Sequence, residues 1–153
     1  MAEQRPSAGS CVRLQRANVL VSDLDRALAF YRDVLGFRLD FVQEPDGSSY
    51  SYPVFEIPRH ARLRFAALST AAQQRVLALT EVSGTVLPPR SLPRRSAIVL
   101  DVEDVDAVVD GAKALGLTVY DEEKLVTHDG RIGREVGIAD FDDNLVVIYR
   151  ITR

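Results

Sequence analysis

The stretch Val21-Ser22-Asp23-Leu24-Asp25-Arg26-Ala27, which runs on through Phe30-Tyr31 to Leu35-Gly36-Phe37, decides how this chain is read. It returns later as Val102-Glu103-Asp104-Val105-Asp106-Ala107, running on to Leu115-Gly116-Leu117. Each copy is an apolar strand, an Asp, an amphipathic helix, a Leu-Gly stop and a further apolar run. Asp23 and Asp104 are N-caps, because a short carboxylate accepts from the unpaired amides of a first helical turn. Leu24, Ala27, Leu28, Tyr31 and Leu35 fall at helical spacing in the first copy. Val105, Val108, Val109, Ala112 and Leu115 do so in the second, giving each helix one apolar stripe. Gly36 and Gly116 stand where a chain leaves a helix at positive φ. A strand–helix unit repeated inside one small chain cannot bury its apolar face alone, so the two copies must pack together. That packing brings two equivalent strand faces around one concavity, which is where function is to be sought.

Working outward, residues 12–21, 37–42, 63–68 and 75–82 have strand character in the first half. Residues 44–49 are a turn-rich loop, and 50–62 read as a loop or short helix over the mouth of a pocket. Residues 84–93 carry three of the seven prolines and form a linker. In the second half 97–102, 117–120, 135–140 and 145–151 read as strands, with a turn at His128-Asp129-Gly130. The expectation is an α+β chain of two βαβββ modules, 12–83 and 94–151, joined by the linker 84–93. They form a single domain over 11–153 behind a disordered lead-in, 1–10.

The chain has 153 residues, 46% of them hydrophobic and 27% charged, with a formal charge of −3. This length supports a core without staples, and the charge gives no basic face for nucleic acid. The densest basic stretch, Pro88-Pro89-Arg90-Ser91-Leu92-Pro93-Arg94-Arg95, reads as a solvated linker. Cys11 is the single cysteine, so no intrachain disulfide forms and a reducing compartment is implied. No apolar run has the length of a signal peptide core or a membrane span. The expected location is cytoplasmic, with no membrane partner.

The order of elements and the wording of the first copy resemble the glyoxalase/bleomycin-resistance/extradiol-dioxygenase superfamily, with its vicinal-oxygen-chelate fold. The resemblance rests on Val21 to Ala27, Phe30-Tyr31 and Leu35-Gly36-Phe37. Asp140-Phe141-Asp142-Asp143-Asn144-Leu145 adds to it, similar to the family's Asp-Pro-Asp-Gly-Asn turn with Phe for Pro and Asp for Gly. It covers residues 13–150 and implies two modules around a cup-shaped mixed sheet. It also implies a divalent metal held by side chains from four strands, polarising substrate oxygens.

The resemblance places those four ligands at Arg16, Ala97, Ala78 and Val147. Two alanines and a valine cannot coordinate, and an arginine repels a cation. Arg16 and Ala97 fall at the same place in the two halves, as do Ala78 and Val147, so a single register slip rescues neither pair. His60 and His128, the only histidines, lie in expected loops, and Glu81 points away from the Ala78 face by alternation. The expectation is therefore no metal and no cofactor.

Alternation from those positions puts Arg16, Asn18, Leu20, Val76, Ala78, Thr80, Ala97, Val99, Asp101, Leu145, Val147 and Tyr149 on one concave face. Ala17, Val19, Val21, Ile98, Leu100 and Val102 then turn toward the helices. The concave face is an apolar cup with a few polar groups, the composition of a small-molecule site. Arg16 and Asp101 read either as an ion pair or as groups placed for a ligand. Tyr31 reads as core, whereas Tyr50, Tyr52 and Phe55 sit in an irregular segment that could fold over the cup. The expected ligand-binding set is Arg16, Asn18, Tyr52, Phe55, Ala78, Thr80, Ala97, Val99, Asp101, Val147 and Tyr149. The leading expectation for function is a metal-free protein binding a partly apolar small molecule, working as a homodimer. The alternative is an enzyme of the same superfamily (lyase, isomerase or dioxygenase-like), either metal-independent or using non-standard ligands.

Overall fold

The computed structural model describes residues 11–44 and 47–153; the lead-in expected at 1–10 lies outside the described residues. Among the described residues nine strands and three helices follow in the order β1 (Ala17–Val21), α1 (Leu24–Tyr31), β2 (Arg38–Gln43), α2 (Ser51–Val54), β3 (Arg62–Ser69), β4 (Leu77–Ser83), β5 (Ile98–Asp101), α3 (Val105–Ala114), β6 (Thr118–Val119), β7 (Glu123–Val126), β8 (Ile132–Ala139) and β9 (Leu145–Ile151). The strands form two mixed sheets, β1-β4-β3-β2 and β5-β9-β8-β6, with β7 also paired to β8.

The repeat seen in sequence is a repeat in space. β1 pairs parallel with β4 and β5 parallel with β9, while the remaining ladders are antiparallel. Asn18 stands opposite Ala78, and its counterpart Val99 stands opposite Val147. The pairs Leu20–Thr80 and Asp101–Tyr149 correspond in the same way. The equivalence of the two halves thus holds residue by residue. One departure is β7, an extra strand beyond the four read for the second module.

Both helices begin as their caps dictate. Asp23 accepts from the Arg26 amide at 3.0 Å and Asp104 from the Ala107 amide at 2.9 Å. Gly36 and Gly116 follow with φ of 89° and 77°, ending each helical segment at a backbone conformation that a side chain disfavours. The stripes of both helices and the helix-facing residues of both sheets enter one core. Ala17, Val19, Ile98, Leu100 and Val102 pack against it, which confirms the face assigned to them by alternation. Gly111 permits close approach of the two helical segments, since a Cβ there would meet Val34 Cγ1 at 2.9 Å.

Polar groups join the halves. Tyr31 is fully buried, and its hydroxyl donates to Asp140 Oδ2 at 2.8 Å. Asp140 also accepts from the amides of Asp142 and Asn144 at 2.9 and 2.7 Å, shaping the turn before β9. From that turn Asn144 Nδ2 donates to the Leu20 carbonyl at 3.0 Å. Burial pushes the Asp140 carboxyl above the usual carboxylate range, against the pull of these hydrogen bonds. Burial likewise raises the Tyr31 phenol, reinforced by the neighbouring Asp140 charge.

Candidate functional site

With the helix-facing set fixed, the other side chains of each strand line the concave faces. The two halves differ sharply there. In the first, Phe41, Ala67, Ala78 and Asn18 form one row across β2, β3, β4 and β1. Ala67 and Ala78 are 0% exposed although each presents only a methyl group, so larger neighbours close over them. The same face carries Phe41 and Phe65, with ring centroids 6.2 Å apart; Arg16 lies over the Phe65 ring at 6.0 Å and Arg75 over the Phe41 ring at 5.6 Å. Thr80 is buried and donates to Asn18 Oδ1 at 2.9 Å.

The segment carrying α2 seals the other end of this face. Tyr52, Ile57 and Ala61 pack with Leu63 and Val82, and Leu20 and Leu87 lie against them. The Tyr52 hydroxyl donates to the Ala61 carbonyl at 2.7 Å, so its polar end is satisfied inside the segment. Phe55 is half-exposed and lines a separate cavity with Leu20, Ile57, Val86 and Asn144.

The second half is open. Val99 is 60% exposed, where its counterpart Asn18 is half-buried. Val99, Asp101, Val147 and Tyr149 line one cavity of about 440 Å³ with Leu125, Thr127, Arg131 and Glu135. Glu135, Tyr149 and Asp101 stand in one row across β8, β9 and β5, so a phenol is flanked by two carboxylates. Asp101 does not pair with Arg16; its carboxylate lies 3.7 Å from Arg150. Among the described residues Arg16 makes no ion pair and is exposed just before β1. Ala97 is exposed just before β5 and lines a cavity of about 500 Å³ with Asn18.

The four positions that the resemblance assigns to metal ligands therefore hold an exposed arginine, an exposed alanine, a buried alanine and a half-buried valine. That donor set does not fit a divalent cation. Among the described residues no group of three or more His, Cys, Asp or Glu could hold one. His60 and His128 are exposed in turns. Glu81 does face away from Ala78: it accepts from Arg64 Nε and Nη2 at 2.8 and 2.9 Å and from the Leu24 amide at 2.6 Å, closing the start of α1. The Arg64 guanidinium holds the Glu81 carboxyl below the usual carboxylate range.

Of the expected set, the structure brings Val99, Asp101, Val147 and Tyr149 together on an accessible face. Asn18 and Ala97 meet at the seam between the sheets, while Ala78, Thr80 and Tyr52 are buried. Sequence reasoning missed Glu135, whose row across Tyr149 depends on a ladder register that no local pattern reveals. It also missed Arg90 and Arg94, which leave the linker to line the seam cavity.

Two strand–helix modules, each with its own mixed sheet and packed on one core, define an α+β chain of paired modules. The sequence matches the Glyoxalase/Bleomycin resistance protein/Dioxygenase superfamily over residues 13–148, and the chain belongs to that superfamily. No curated protein matches the sequence. Among solved structures it is similar to a glyoxalase family protein from Bacillus cereus, at 16% identity and a TM-score of 0.74, covering 96% of this chain and 99% of that one. It is similar to the trypanothione-dependent glyoxalase I of Leishmania major at 18% identity and a TM-score of 0.62, covering 92% and 87%. The fosfomycin resistance protein FosX of Listeria monocytogenes, solved with Mn(II) and sulfate, gives 19% identity and a TM-score of 0.60, covering 94% and 95%. At these identities the likeness speaks to fold alone.

Proposed function

We propose that the chain is a binding protein that holds a small, partly apolar molecule on the open face of its second module without a metal ion. The observation that carries this reading is the pairing of an accessible Val99–Val147–Tyr149 surface with a ligand-position set unable to coordinate. The apolar body of the ligand lies on Val99 and Val147, and Asp101, Glu135 and Tyr149 supply hydrogen-bonding groups at its edge. Arg16, expected to anchor an anionic or carbonyl-bearing end, stands over the Phe65 ring of the first module and does not line this cavity. A reading as an acid–base enzyme is favoured by one feature, the phenol of Tyr149 set between two carboxylates. On that reading Tyr149→Phe loses turnover of the bound molecule while retaining its binding.

The chain works as a cytoplasmic homodimer on this account. β2 is an edge strand carrying half-exposed Phe41 and Val42, a surface that favours pairing. Sedimentation at micromolar concentration is expected to show a dimer, and a monomer there contradicts this part.

Native mass spectrometry of freshly purified protein tests the main reading. The expected result is the chain mass plus a small organic molecule, which is absent in Val147→Asp. One equivalent of tightly held divalent metal, lost on substituting His60 or His128, would overturn it.

A further inference from the structure

At the seam between the sheets the cavity of about 500 Å³ is walled by Ala17–Val19 of β1, by 94–98 leading into β5, and by Asp143–Leu145. Its charge is one-sided. Arg90, Arg94 and Arg95 all line it, against a single carboxylate, Asp143. Asp143 ion-pairs with Arg90 and accepts from Arg94 Nη2 at 2.7 Å, so one anion is shared by two cations. Arg95 makes no ion pair among the described residues. Arg94 Nε is buried and has no hydrogen-bond partner, an unmet donor of a kind that folded proteins seldom leave. The Arg94 guanidinium is further fixed over the Tyr120 ring at 5.5 Å.

The other lining residues are the apolar Ala17, Val19, Ala97, Ile98 and Leu145 and polar side chains able to donate. Asn18 has its Oδ1 occupied by Thr80, which leaves its amide nitrogen to donate, and the hydroxyls of Ser91 and Ser96 lie in the same lining. Asp143 sits at φ 67°, in the left-handed region that a glycine enters freely and that Asp and Asn enter more readily than other residues with side chains. Its carboxylate there neutralises part of the arginine charge, as a stand-in anion does.

We propose that this seam cavity is a site for a small oxyanion, phosphate-like or carboxylate-like, bound by Arg94 and Arg95 with Asn18 and released in competition with Asp143. A surplus of fixed guanidinium forks over carboxylate, with one fork incompletely used, matches the geometry of oxyanion recognition. The site stands apart from the apolar face of Val99 and Val147, and neither depends on the other.

The test uses inorganic phosphate with the whole chain, titrated by calorimetry against chloride at matched ionic strength. Saturable phosphate binding is expected in the parent, with acetate as the competitor that reports whether planar carboxylates share the seat. Arg94→Gln should weaken it about tenfold or more, the size of a charged hydrogen bond. Arg95→Gln, which breaks no ion pair, should weaken it in the same direction and decides the matter if Arg94→Gln fails to fold. Asp143→Asn should tighten binding, because asparagine tolerates the left-handed conformation while removing the competing charge. A phosphate response equal to that of chloride, or one unmoved by both arginine substitutions, or one weakened in Asp143→Asn, would overturn the proposal.

Discussion

The two modules share a topology and differ in what covers them. At matched positions the first module places Asn18, Ala78 and Thr80, of which the last two are buried, and the second places an exposed Val99 and half-buried Val147 and Tyr149 along a cavity. The cause lies in the corresponding connection of each half. Between β2 and β3 the chain carries Tyr52, Ile57 and Ala61, which fold back onto the concave side and bury themselves against Leu63 and Val82. Between β6 and β8 the chain carries Glu122, Glu123, Lys124 and Thr127, too polar to be buried without partners. It instead runs on as β7, which continues the β6 edge of β8 and does not fold back over the face. A duplicated unit thus becomes a closed half and an open half through the polarity of one connection.

The largest effect is expected from stripping that cover. Tyr52→Ala removes a buried ring and its hydrogen bond to Ala61, and should cost about 3–5 kcal/mol in chemical denaturation. A loss below 1 kcal/mol would mean that the segment does not hold the first face shut.

Glu81→Gln comes next. It breaks the forked pair with Arg64 and weakens the cap on Leu24, so about 2–3 kcal/mol should be lost at pH 7. The sign with pH follows from the depressed carboxyl. Its contribution is present above the ordinary glutamate value near about 4.3 and disappears as pH falls through the lower folded value. The gap between parent and variant in urea midpoints should therefore close on acidification; a gap that widens at low pH contradicts the pairing.

A matched pair of substitutions sharpens the comparison. Ala78→Val adds two methyl groups at a fully buried position and should cost about 1–3 kcal/mol by overpacking. Val99→Ala, on the exposed counterpart face, should change stability by about 0.5 kcal/mol or less. Equal effects from the two would erase the distinction between the halves.

Much of this was legible in the sequence because the signals were local and repeated. Asp23 and Asp104 announced two helices, Gly36 and Gly116 ended them, and alternation put Ile98 and Leu100 under α3. The absence of donor side chains at Arg16, Ala97, Ala78 and Val147 was equally readable once the family resemblance gave those positions meaning. What escaped was set by distant contact. Nothing near Asp101 in the chain indicates that Arg150 lies beside it, and nothing near Arg94 indicates that Asp143 and Tyr120 receive it. The Pro-rich arginine stretch has the composition of a solvated linker, and only the closure of the two sheets turns it into a cavity wall.

The central claim is that the second module's face is the one that receives an apolar molecule. Amide NMR during titration with 1-anilinonaphthalene-8-sulfonate, an apolar probe, tests it most directly. The account predicts saturable shifts at Val99, Glu135, Val147 and Tyr149, with Ala67, Ala78 and Thr80 unmoved. Saturable shifts centred on Ala78, Thr80 and Tyr52 while Val99 and Val147 stay still would contradict it.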